Sequence, residues 1–151
     1  MKDETLSKEA EWRLYHYPEL CGRIAQMKQE IAALENMEFD ALCCTSGSVI
    51  HSSGRQKSVT DPTERFAAQA TFLRSRVALY GKEVRILRKA LKAVRADPYY
   101  KSLEYKYFRR MTDNQAAVKM NCSLSTLRRN RQRLLCIVVN ILYNKKGENN
   151  E

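Results

Sequence analysis

The stretch TDNQAAVKMNCSLSTLRRNRQR, residues 112–133, decides the fold of the chain's C-terminal part. Thr112 is placed to cap a short helix over Asp113–Met120. Asn121-Cys122-Ser123 then interrupts the pattern. Asn121 tolerates a left-handed backbone and Ser123 is a natural N-cap for a following helix. Two helices that meet this closely need a small residue where their backbones approach, and Ala117 fits. They also need apolar anchors, here Ala116 and Met120 on the first helix and Leu127 and Leu134 on the second. The spacing predicts a helix-turn-helix over Met111–Leu135.

Charge gives that motif a direction. The 151-residue chain has a formal net charge of +10, unevenly spread. Residues 1–40 carry a charge of −4 and residues 41–81 a charge of +3. Residues 82–133 hold 15 basic and 4 acidic side chains, and the remainder is balanced. A basic block that contains a helix-turn-helix is the electrostatic footprint of a duplex DNA reader. In this motif the second helix lies in the major groove. Ser125 or Thr126 is then placed for a base or phosphate, and Arg128 or Arg129 for a guanine edge. The other arginines neutralise phosphates. The candidate DNA-binding residues are Lys101, Arg109, Arg110, Thr112, Ser123, Leu124, Ser125, Thr126, Arg128, Arg129, Arg131, Gln132 and Arg133.

Working outward, the chain reads as all-α, with no stretch of period-two alternation. The reading predicts an N-terminal helical hairpin over 1–38. Its first helix runs over Leu6–His16, and its second opens at Pro18, with Leu20, Ile24, Met27, Ile31 and Leu34 as an apolar stripe. Residues 39–60 lose all periodicity and read as a flexible linker. Asp61-Pro62 announces a long connecting helix over 61–96. Its seam of Phe66, Ala70, Leu73, Val77, Tyr80, Val84, Leu87, Leu91 and Val94 alternates steps of four and three. Asp97-Pro98 opens the DNA-binding domain, 97–145, with a helix to about Met111 that turns Tyr99, Leu103, Tyr107 and Phe108 inward. The apolar Leu134–Tyr143 continues the recognition helix and is expected to be buried against the long helix or a second subunit. That leaves a homodimer through either helix as a possible arrangement, and residues 146–151 as a disordered tail.

Other classes have little support in the residues. Five cysteines, at 21, 43, 44, 122 and 136, are odd in number and lack metal-ligand spacing, so no metal and no cofactor are expected. The two histidines, His16 and His51, form no cluster with a nucleophile or carboxylate, and no enzyme activity is expected. No apolar run is long enough to span a bilayer, and the N-terminus has no signal-peptide core, so a cytoplasmic location is expected.

The run from Thr112 through Gln115, Ala117, Asn121, Ser123 and Leu127 to Arg128 resembles the helix-turn-helix of sigma factor region four. Departures stand at Leu124 and Ser125, where sigma factors often carry a longer polar pair, and at Asn130, usually apolar. Together with Leu14-Tyr-His-Tyr-Pro-Glu-Leu20 and the Tyr105-x-Tyr-Phe-Arg-Arg110 motif, the layout is similar to RinA/ArpU-like phage regulators of late genes in Gram-positive hosts. The resemblance implies transcription activation of phage late genes with host RNA polymerase as a partner. A small terminase-like DNA-packaging subunit is the alternative.

Overall fold

A computed structural model describes residues 2–44 and 61–143, and among these the chain is all-helical. Helix α1 spans Lys2–Cys44 and α2 Pro62–Val94. A short α3, Tyr100–Leu103, runs into a π-helical turn, Glu104–Phe108. Helices α4, Asp113–Lys119, and α5, Leu124–Tyr143, complete the order. The chain divides into two compact units. One comprises α1 as far as Cys21 and the chain from Lys82 onward, the other Gly22–Gly81.

The expected hairpin break at Pro18 does not occur: α1 runs through it. A proline inside a helix costs about 3 kcal/mol through the lost amide donor and the clash with the preceding turn. Packing outweighs it here, because Ala10 and Leu14 are fully buried before Pro18, with Tyr15 and Tyr17 against the same core. Helix α1 also continues to Cys44, into the stretch expected to be linker. Residues 37–42, Met-Glu-Phe-Asp-Ala-Leu, contain mostly good helix formers and no glycine or proline. Losing apolar periodicity there does not mean losing the helix. The rest of the expected linker, 45–60, and the expected tail, 146–151, lie outside the described residues.

In the Gly22–Gly81 unit, the half-buried stripe Ile24, Met27, Ile31 and Leu34 of α1 is matched on α2 by Phe66, Leu73, Val77 and Tyr80 around buried Ala70. An ion pair between Glu35 and Arg74 joins the two helices. Asp61 caps α2 by accepting from the Thr63 amide at 3.2 Å.

The other unit holds the main core. Ala10 and Leu14 of α1, Leu87, Ala90, Leu91 and Val94 of α2, Leu103 and Tyr107, and Leu134, Leu135 and Val138 of α5 form one cluster. The C-terminal part of the α2 seam is therefore used within the chain. The apolar end of α5 packs against both α1 and the long helix. The Tyr107 hydroxyl donates to Glu11 at 2.7 Å, and burial followed by that bond pushes its pKa up.

The segment before the helix-turn-helix is not one regular helix to Met111. Its last turn widens to π, and Arg110 stops it with a left-handed backbone at φ 51°, while the Met111 amide reaches the Tyr105 carbonyl at 2.8 Å. The widening lets Leu103 and Tyr107 enter the main core while Tyr105 packs into a second, smaller cluster.

Gly22 and Gly81 lie at the two boundaries between the units, each inside a continuous helix, and a Cβ built on either meets nothing within 4 Å. Gly22→Ala and Gly81→Ala are therefore expected to stabilise the protein by about 1 kcal/mol each. Leu134→Ala, at a fully buried position, is expected to cost about 2–5 kcal/mol. Urea unfolding midpoints of the three variants check both signs.

Candidate nucleic-acid interface

The helix-turn-helix forms where the spacing places it. Thr112 caps α4 through a reciprocal box: the Gln115 amide donates to its hydroxyl at 3.3 Å, and the Gln115 side chain accepts from the Thr112 amide at 3.1 Å. Helix α4 ends on Asn121 at φ 51°. The Cys122 amide bonds back to the Ala117 carbonyl and the Asn121 amide to the Val118 carbonyl, both at 3.1 Å, the paired bonds of a Schellman ending. Ser123 then caps α5, its hydroxyl accepting from the Thr126 amide at 3.2 Å. Ala116, Ala117 and Leu127 form the motif's own small core, with Tyr105, Met120, Cys122 and Leu124 packed against it. Leu134, expected to anchor the motif, belongs instead to the main core.

Helix α5 turns one polar face outward. Ser125, Arg128, Arg129 and Gln132, at steps of three, one and three, are all exposed, and Cys136 continues the row one turn on. Leu127, Leu134, Leu135 and Val138 occupy the opposite side and are buried. Lys101, Arg109 and Arg110 are exposed as well. Arg109 and Lys119 both lie against the Tyr105 ring, at 5.6 and 5.7 Å from its centroid. Tyr105 and Lys119 are absent from the sequence-derived candidate set. The aromatic in the Tyr-x-Tyr-Phe-Arg-Arg motif was the available signal, but its role as a platform depends on where α4 lies.

Arg131, expected to contact phosphate, is only 6% exposed and is withdrawn from the surface. Its Nη1 donates to Asp113 Oδ1 at 2.8 Å. Arg128 Nε donates to the other oxygen, Oδ2, at 2.9 Å, while its side chain stays 60% exposed. Leu124, expected among the DNA-binding residues, is half-buried in the small core. Thr112 and Ser123 serve as caps, and Thr126 accepts a bond from the Ser123 hydroxyl at 2.8 Å. Arg133 pairs with Asp97 at 2.7 Å while remaining half-exposed. Asp97 also accepts from the Tyr99 amide at 2.9 Å, and that bond, with Arg133 after it, holds its pKa below the usual range. The basic block extends along α2, where Lys82, Arg85, Arg88, Lys92 and Arg95 are all exposed.

The hydrogen bond from Arg131, reinforced by the one from Arg128, lowers the Asp113 pKa from 3.8 to about 2. A carboxylate depressed in the folded state stabilises the protein above its unfolded pKa, and that contribution fades as pH falls through the folded value. Stability should therefore drop between about pH 4 and pH 2, and Asp113→Asn should flatten that part of the profile. Urea midpoints measured across this range test the assignment; an unchanged slope in the variant would refute it.

Among the described residues, no group of three or more histidine, cysteine or acidic side chains is placed to hold a metal ion. No helix among them is long and apolar enough to cross a membrane. Comparison with protein families, with curated proteins and with solved structures finds no match to this chain.

Proposed function

We propose that this chain is a sequence-specific double-stranded DNA-binding transcriptional regulator, an activator of phage late genes that acts with host RNA polymerase. One observation supports the reading most: α5, capped by Ser123, turns Ser125, Arg128, Arg129 and Gln132 outward on one face while its other face is buried. That face offers guanidinium and amide groups suited to base edges in the major groove. Lys101, Arg109 and Arg110 supply cations for the phosphates beside it, and such contacts give affinity without sequence information. The resemblance of residues 112–128 to sigma factor region four supports the regulatory half of the proposal, and the layout similar to RinA/ArpU-like regulators supports the phage context. The work assigned to the chain is binding, and no reaction is assigned to it.

Titration of a DNA duplex at several salt concentrations tests the first half. Affinity should fall steeply with salt. Lys101→Ala should weaken binding to all sequences about equally and flatten the salt slope by about one. A chain that binds no duplex overturns the proposal. Selection of bound fragments from the genome that carries the gene tests the second half. Enrichment of one intergenic promoter is expected, whereas enrichment at a packaging site would point to the packaging alternative.

A further inference from the structure

Arg128 stands at the outward face of α5, yet it is not free to turn. Its Nε–H is held by Asp113 Oδ2, and Asp113 is held in turn by buried Arg131 through Oδ1. The three side chains are graded in exposure: 8% for Arg131, 22% for Asp113 and 60% for Arg128. The chain of contacts thus begins in the interior and ends on the surface. Asp113 is itself fixed as the first residue of α4, directly after the Thr112 cap. A guanidinium has five N–H donors in one plane. Committing Nε–H to a fixed carboxylate sets that plane and leaves the donors of Nη1 and Nη2. Two of these point forward in parallel, the pattern that meets O6 and N7 of guanine in the major groove.

We infer that Arg128 is a guanine reader and that Asp113 is its positioning residue, anchored by Arg131. This rests on the DNA-binding reading above. The opposite role for Asp113, drawing Arg128 away from DNA, makes the contrary prediction about its removal.

The test uses the full chain and a duplex that it selects from a random pool. Each guanine of that duplex is replaced in turn by 7-deazaguanine, which lacks the N7 acceptor but keeps Watson–Crick pairing. One replacement should weaken wild-type binding by about tenfold, within the discrimination a bidentate pair provides. Arg128→Lys, which leaves the Asp113–Arg131 pair intact, should bind the unmodified site more weakly and ignore that replacement. Asp113→Asn should likewise ignore it, while its affinity for mixed-sequence DNA stays level or rises because a negative charge has gone. Adding Asp113→Asn to Arg128→Lys should cost no further selectivity. If Asp113→Asn alone does not fold, Asp113→Asn/Arg131→Met removes the stranded buried cation and is measured in its place.

Wild-type binding that is selective yet indifferent to every 7-deazaguanine overturns the inference and leaves DNA binding standing. A folded Asp113 variant that binds the selected site more tightly and keeps the 7-deaza sensitivity overturns it too, because Asp113 would then restrain Arg128 from DNA. Failure of the wild type to bind any duplex removes the DNA-binding reading itself, and the inference with it.

Discussion

Helix α5 must belong to two cores at once, and the arrangement of its unit follows from that constraint. Leu127, near its start, closes the small cluster of the helix-turn-helix with Ala116 and Ala117. Leu134, Leu135 and Val138, two turns later, close the main core with Leu14 of α1 and Leu87, Leu91 and Val94 of α2. A straight helix presents both sets rigidly, so the register between the small motif and the long helices is set by α5 itself. The outward row of Ser125, Arg128, Arg129 and Gln132 is what remains once both buried sets have been assigned. The face proposed to meet DNA is therefore a consequence of two packing requirements.

Acidic side chains fix this basic part of the chain. Between residues 82 and 133 two of the four carboxylates, Asp97 and Asp113, stand just ahead of a helix or at its first residue. Asp97 accepts from the Tyr99 amide just before α3 and holds Arg133 of α5. Asp113 opens α4 and holds both Arg128 and Arg131 of α5. Glu11, from the acidic N-terminal segment, accepts from Tyr107 in the π turn. A desolvated arginine requires such a partner, because a lone buried charge costs several kcal/mol. Arg131 is thus a structural cation inside a run of arginines otherwise directed outward.

The chain's punctuation carries different weight in different surroundings. Pro18 does not break α1, because the turns before it are committed to the main core. Asn121 does end α4, because its left-handed conformation completes the Schellman bonds. Arg110 adopts the same conformation without asparagine's tolerance for it, held there by the wide π turn ahead of it.

The helix-turn-helix was legible in the sequence because it is specified locally. The Thr112 and Ser123 caps, the turn at Asn121 and the small Ala117 act over a few residues each, and the structure has all four. The all-helical class and the long α2 were equally legible, because apolar periodicity reports which face of a helix is buried. What tertiary structure alone decided is which arginines face outward. Arg128, Arg129, Arg131 and Arg133 are nearly indistinguishable as letters, and helical phase separates them only once the buried side of α5 is known. The pairing of Asp113 with residues 15 and 18 positions away depends on the angle at which two helices meet. The opening stretch, 112–133, therefore contained the motif, while the choice of Arg128 as a surface group and Arg131 as a buried one came from the fold around it.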